Sequence, residues 1–244
     1  MSLATRFAAA LAEEGGQDDD GHLLPDRLSR AAARVLEVDG AGLTALVSGH
    51  GHVPLGASSP EAARAERLQF TVGAGPCTLA HGTGQPVFVV EGDLRLRWPT
   101  FADLLFSDTP FRGVVSLPLR SPLAGDGAMD LFFCDPDRVP RLDVFDAVTV
   151  GSLATAALGE AALWSSWSAE TGPDWMHSPP AVRRAAVWTA VSLVSAALDV
   201  DAPQALALLR GHAYAVGRSV DAVAADLVSG RLVPADVAGR PGGD

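Results

Sequence analysis

Apolar and polar positions along the chain change period several times. In "LLPDRLSRAAARVLEVDG", Leu24, Leu28, Ala31, Ala32 and Val35 recur at helical spacing, with Pro25 suited to a first turn and Gly40 just past the end, which predicts an amphipathic helix. Before it, residues 1–22 read as a short helix running into a solvated acidic stretch, "EEGGQDDDG", with little to bury. After it come short apolar runs bounded by turn residues: "AGLTALVS", "HVPLGAS", "QPVFVV", "GVVSLPLR" and "AMDLFFCD". "PEAARAERLQFTV" lies between the second and third of these. Five strand-like runs with helices that do not alternate one for one predict an α+β layout, a mostly antiparallel sheet with helices on one face. "LAGDGAMD" reads as the hairpin turn joining the last two strands. From Arg141 a long helix, "RLDVFDAVTVGSLATAALGEAALWSSW", is expected to leave this domain, apolar enough to touch both the sheet and a partner helix.

"SAETGPDWMHSPP" has the Gly, Pro and Ser content of a linker. Three short helices are predicted beyond it. Ser178 and Pro179 open the first, which runs to about Leu198; Asp201 caps the second and Gly217 ends it; Ser219 caps the third and Gly230 ends it. The organisation read from the chain is therefore residues 1–22, a first domain with its long helix at 23–167, a linker at 168–178, a three-helix bundle at 179–233 and a flexible tail at 234–244. A bundle of about sixty residues hides only ~60% of its unfolded surface and is marginal alone. Its first helix is apolar almost all round, so a second surface has to cover it. Dimerisation would do so, and so would packing on the upstream domain.

Charge and composition narrow the classes. The net charge of −11 argues against a nucleic-acid binder that uses its whole surface. Residues 178–244 hold six arginines and six aspartates, so the last quarter is neutral and a local basic face is possible only there. All eighteen basic residues are arginines. The longest uncharged apolar stretch, "AAVWTAVSLVSAAL", falls short of the ~20 residues that cross a bilayer, and the N-terminus is a poor match to a secretory signal, so a cytoplasmic location is expected. Two cysteines, Cys77 and Cys134, make neither a disulfide framework nor a four-ligand zinc site.

Candidate chemistry is sparse. "FTVGAGPCTLAHGTGQP" lacks the "GK[ST]" of a nucleotide-phosphate loop and the spacing of a dinucleotide fingerprint. It puts Cys77 in the first turn of a short helix with His81 four residues on, which reads either as a nucleophile or redox thiol or as a packed thiol beside a tight turn. "HGH", His50 to His52, is a possible metal pair or an exposed turn. No "GxSxG", "HExxH" or paired-carboxylate arrangement is present, and no catalysis, cofactor or resident metal is expected. Trp98, Phe101, Phe106 and Phe111 fall in connecting segments, where they would roof an apolar pocket or seal the core. In the C-terminal bundle Arg183, Arg184, Arg210, His212, Tyr214, Arg218 and Arg231 are the polar side chains able to read RNA, guanidinium for phosphate and base edges and a ring for stacking, or else a solvated helix face.

Over roughly residues 23–167, "RLQFTVGAGPCTLAHGTGQPVFVVEGDLRLRWPTF", "FRGVVSLPLR" and "GAMDLFFCD" closely resemble the GAF sensor domains of actinobacterial GAF-ANTAR proteins, with "LQF", "GPC", "RWP" and "PLR" in the family's order. The resemblance implies a small-molecule pocket on the sheet face opposite the helices, for which Cys77, Trp98, Phe101, Phe111, Val115 and Phe133 are the candidates. It also makes "GAGPC" a turn into a short helix near the ligand and not a catalytic loop. The C-terminal segment is similar to the ANTAR domain, a three-helix RNA-binding module, at Ala190, Ala205, Leu206, Leu209, Arg210, Ala213, Gly217, Arg218, Val223 and Ala224. Its first helix departs from the family, with Thr189, Ser192, Leu193 and Ala197 where Gln, Gly, Met and Gln are common. What the resemblance implies is a homodimeric antitermination regulator that senses a small ligand or redox state and binds hairpins in nascent RNA. The alternatives are a signalling or dimerisation protein whose bundle no longer binds RNA, and a redox switch using Cys77.

Overall fold

The computed structural model describes residues 1–15, 23–47, 51–121, 125–164, 177 and 179–239. Its centre is a five-stranded antiparallel sheet in the order β2-β1-β5-β4-β3, from β1 (Gly40–Val47), β2 (Gly51–Ala57), β3 (Val87–Val90), β4 (Gly113–Ser121) and β5 (Gly125–Phe133). All five apolar runs become strands. β4 and β5 pair as a hairpin from Ser121 opposite Gly125.

Helices cover both faces of this sheet, not one. β5 sends Met129, Leu131 and Phe133 to one side and Phe132 to the other, and β4 likewise divides Val115, Leu117 and Leu119 from Val114. With apolar residues on both sides, neither face can be left to water. The first face is covered by α1 (Leu3–Glu13), α2 (Leu24–Val35) and α7 (Val144–Trp164); the second by α3 (Pro60–Val72), α4 (Pro76–Thr83), α5 (Glu91–Arg97) and α6 (Pro99–Asp108). Two further expectations change as a result. α1 belongs to the domain, burying Phe7 and Ala10, while Arg6 donates to the Val35 carbonyl at 2.6 Å and Arg30 meets Glu14 at 2.5 Å. α7 does not leave the domain: Ala147, Val150, Ala154 and Leu158 face the first core, and Phe145 and Leu163 remain exposed.

The C-terminal bundle has α8 (Pro179–Leu198), α9 (Ala202–Ala215) and α10 (Val220–Val228), closed by a single turn, α11 (Pro234–Val237), where the sequence reading had a flexible tail. Val237 is buried against α8 and α9, which is why that turn forms. Asp201 and Gln204 make a reciprocal capping box at 2.8 and 3.1 Å, Ser219 accepts from the Ala222 N–H at 3.2 Å, and Gly217 and Gly230 take left-handed backbone with φ of 64° and 74°. The bundle rests on the first domain: α8 runs along β2, and α9 and α10 meet α3. Phe70 of α3 is part of the bundle's own apolar core, beside Val187, Val191 and Leu209, and the Val220 N–H donates to Thr71 Oγ1 at 3.2 Å. The upstream domain thus supplies the cover that the small bundle requires.

α7 and α8 each hold a 20-residue span, of mean hydropathy 1.2 and 1.3, which includes charged residues outside the uncharged run at 185–198. Each buries a face in the protein, and α8 carries Arg183 and Arg184 in its second turn.

Candidate functional site

Glu66, Gln69, Phe70 and Gly73 lie at the i, i+3, i+4, i+7 spacing of one face of α3, the spacing that ordinarily marks an apolar stripe. Two of the four are polar, and both are buried. They line a cavity of about 80 Å³ together with Thr44 of β1, Pro54 of β2, Cys77 and Thr78 of α4, and Arg184 and Arg210 of the bundle. A Cβ on Gly42 would collide with the Glu66 carboxylate, so β1 makes room for that side chain by carrying none of its own.

Gln69 organises the polar floor. Its Nε2 donates to Asp130 Oδ2 at 2.7 Å, and its Oε1 accepts the Cys77 N–H at 3.1 Å, which ties the "GAGPC" turn to the central strand β5. Gly75 precedes that turn because a Cβ there would strike the Gln69 amide. Asp130 faces Ser116 across the β4–β5 ladder, and Thr44 Oγ1 donates to Glu66 Oε2 at 3.0 Å. Glu66 and Asp130, both buried, face one another and share a hydrogen bond. Burial pushes the Asp130 carboxyl up to about 6 against the opposing help of its hydrogen bonds. Burial first and Asp130 second raise Glu66 well above the ordinary carboxylate range. Apart from the proton shared with Asp130, no donor among the described residues reaches Glu66 Oε1.

The roof comes from the other domain. Arg184 is 0% exposed, its guanidinium carbon 3.2 Å from the centroid of the Phe70 ring. The nearest carboxylate, Asp221, approaches to 3.6 Å, and none of the three guanidinium nitrogens has a hydrogen-bond partner. Burial lowers the Arg184 pKa to about 10, so it stays charged at neutral pH. Arg210 lies near the same ring at 4.9 Å, its Nε donating to the Phe70 carbonyl at 3.0 Å. Gly73, left-handed at φ 79°, lets α3 end directly beneath that guanidinium.

The chain resembles GAF domains of solved structure. It is similar to the GAF domain from Acinetobacter phosphoenolpyruvate-protein phosphotransferase, with 14% identity over 69% of this chain and 100% of that chain at a TM-score of 0.47. The GAF domain of a phosphoenolpyruvate-protein phosphotransferase from Coxiella burnetii matches with 11% identity over 65% and 94% at a TM-score of 0.44. SdiA in complex with octanoyl-rac-glycerol matches with 12% identity over 94% of this chain and 96% of that chain at a TM-score of 0.44. No protein-family model matches the chain, and no curated protein is significantly similar to it. At identities this low the chemistry of the site has to come from this chain's own residues.

Of the six residues expected to line a ligand pocket, Cys77 alone lines this cavity. Phe101 and Phe111 are sealed in the second core, with Trp98 packed against it, and Phe101 and Phe106 belong to α6 and not to loops. Val115 and Phe133 point to the opposite face of the sheet. Cys77 is 4% exposed, and burial, followed by Asp130 and Glu66, pushes its thiol well above the ordinary range. It is a packed thiol and not a thiolate nucleophile. His50 lies outside the described residues, and His52 pairs with Leu46 in the β1–β2 ladder.

The seven RNA candidates divide. Arg184 and Arg210 face inward over the cavity. Arg218 and Arg231 converge on Asp226, each at 2.7 Å, and their hydrogen bonds hold its carboxyl below the ordinary range. Tyr214 is 56% exposed and shares with Arg218, Arg64 and Arg67 a groove of about 270 Å³ between α3 and the bundle. Arg183 is exposed and His212 half-buried. Sequence reasoning missed Glu66, Gln69 and Asp130. The available signal was a polar residue in a core-facing slot: Asp130 interrupts the apolar run "AMDLFFC", and Glu66 and Gln69 interrupt the stripe on α3.

Proposed function

We propose that the protein is a small-molecule-responsive regulator in which a GAF-like domain holds a ligand beneath the C-terminal bundle and thereby sets the availability of that bundle for RNA. One observation carries this reading: the bundle's Arg184 and Arg210 close a cavity whose floor belongs to the sheet domain. A molecule in that cavity touches both parts, so it binds docked and undocked states with different affinity, which is what a ligand needs in order to shift an equilibrium. The output we assign to the bundle is binding of hairpin loops in nascent transcripts, following its similarity to ANTAR domains. Tyr214, Arg218, Arg231 and Arg183 offer a ring and guanidinium groups on its outer side. Exposed Phe145, Val148 and Leu163 on α7 are where a second copy would pair, and the location is cytoplasmic.

Filter binding against tandem RNA hairpins at low salt tests the output. Retention that weakens at least tenfold in the Tyr214→Ala, Arg218→Ala double variant is expected. Absence of RNA retention under every ligand condition leaves the second reading, a bundle that has become a protein-docking module. That alternative draws on the inward turn of two candidate arginines and the Asp226 clamp on two others. No catalytic step is assigned.

A further inference from the structure

The cavity holds unmet hydrogen-bonding capacity of both signs. Among the described residues, Arg184 brings three nitrogens with no acceptor, and Glu66 and Asp130 each bring an oxygen with no donor beyond the one proton the two carboxyls share, all on side chains that are more than nine-tenths buried. A buried polar group left unpaired is costly, and a buried charge more so. The obvious internal remedy, direct pairing of Arg184 with Asp221, is only half made at 3.6 Å. Phe70 fixes the plane of the Arg184 guanidinium by stacking, which leaves its edge to present parallel N–H groups to an incoming planar anion. Arg210, beside it, adds a second cation over the same ring. Also lining the cavity, Glu66, held by Thr44 Oγ1, forms a pair with Asp130 that shares one proton, so the two carboxyls together carry a single negative charge for a cationic group.

Size restricts the class. A water needs ~10–15 Å³ of such space. The cavity's 80 Å³ therefore takes about six water-sized groups, which suits a compact molecule. We propose that the cavity is a binding site for a small zwitterion of the amino-acid class, its carboxylate held by Arg184 and Arg210 and its ammonium by Glu66. This proposal rests on the sensor reading above and names the ligand of that same site. Thr44, Gln69 and Thr78 supply the remaining polar wall, and Pro54 and Phe70 the apolar one.

The test uses the full chain and thermal unfolding followed by circular dichroism, with glycine, alanine, serine, β-alanine and γ-aminobutyrate as probes. Propionate and ethylamine serve as single-ended controls. At a concentration near 100 Kd a true ligand raises Tm by about 5–10 °C in a chain of this size. The expected result is such a rise with at least one zwitterion, at least tenfold weaker half-saturation with both single-ended controls, and loss of the rise in Arg184→Met and in Glu66→Gln. Arg184→Met keeps an unbranched stem without the guanidinium and its charge, and a folded Arg210→Gln protein provides a second reading should the buried variants unfold. Arg95→Gln, on exposed α5, retains the full shift. No rise with any zwitterion, or an equal rise with propionate alone, overturns the proposal. RNA retention measured on the same samples separates the two ideas: a zwitterion that binds without altering RNA affinity removes the sensor reading, and RNA binding that responds to undocking while no zwitterion binds removes only the ligand class.

Discussion

Asp130 carries a cost that depends on pH. Its carboxyl titrates near 6 in the folded chain and at the ordinary 3.8 when exposed, because burial disfavours the charged form. The folded state therefore holds this proton to higher pH than the unfolded state does. Stability from this group is full below about pH 4, falls as pH rises through the window from about 4 to about 6, and stays reduced above it, by about 3 kcal/mol. Asp130→Asn keeps an acceptor for Gln69 and removes the titration. We expect the variant to gain on the wild type as pH is raised from 4 to 7, with the two curves of Tm against pH converging at the acid end. A difference that shrinks over that range would show that the ionised carboxylate is stabilised in place, against the desolvation argument. Gln69 and Glu66 belong to the same residue-scale logic, since each makes sense only as part of a floor drawn from α3, β1 and β5.

α3 serves three surfaces within four residues. Leu68 enters the second core, Gln69 the cavity floor, Phe70 the bundle core, and Thr71 receives the first N–H of α10. Phe70→Ala removes the ring on which Arg184 and Arg210 stack, together with its edge contact with Trp188 at 6.4 Å. Truncations of this kind cost about 3–5 kcal/mol, and here the loss falls on docking and not on the sheet domain. We expect limited proteolysis to cut at residues 168–178 much faster in the variant, with a second, lower unfolding transition for the bundle and an unchanged one for the sheet domain. At this scale the sequence was legible: strand runs, caps at Asp201 and Ser219, and the stops at Gly217 and Gly230 all follow from local chemistry. The side of the sheet on which each element packs was not legible, because the alternation in β4 and β5 leaves both faces apolar and only tertiary contact says what lies on each. The site was missed for a related reason. Aromatics such as Phe101 and Phe111 advertise a pocket yet fill the core, whereas the cavity is built from polar residues hidden in apolar patterns and from arginines that the ANTAR resemblance assigned to RNA.

For the whole molecule the proposed control turns on how much of the time the bundle is docked. The docked arrangement buries Arg184 fully and Arg210 in part, so under the proposed RNA reading the docked chain would present fewer free cations than an undocked one. The chain as a whole carries −11, and its last quarter is neutral, so non-specific affinity has little long-range attraction to draw on and each released arginine counts. Contacts to single-stranded RNA contribute about −0.7 each to the slope of log K against log salt. If Phe70→Ala undocks the bundle and both arginines then reach phosphates, its slope should be steeper than that of the wild type by about 1.4, with tighter binding at low salt and nearly equal binding at high salt. The compact wild-type chain should have a radius of gyration near 18 Å for its length, and the variant a larger one, which scattering can check on the same samples. An expanded variant whose salt slope is unchanged would mean that undocking occurs without exposing cations to RNA. The inward arginines would then serve the cavity alone, and control of the bundle would have to act through its outer face, where Tyr214 and the Asp226-clamped pair of arginines lie.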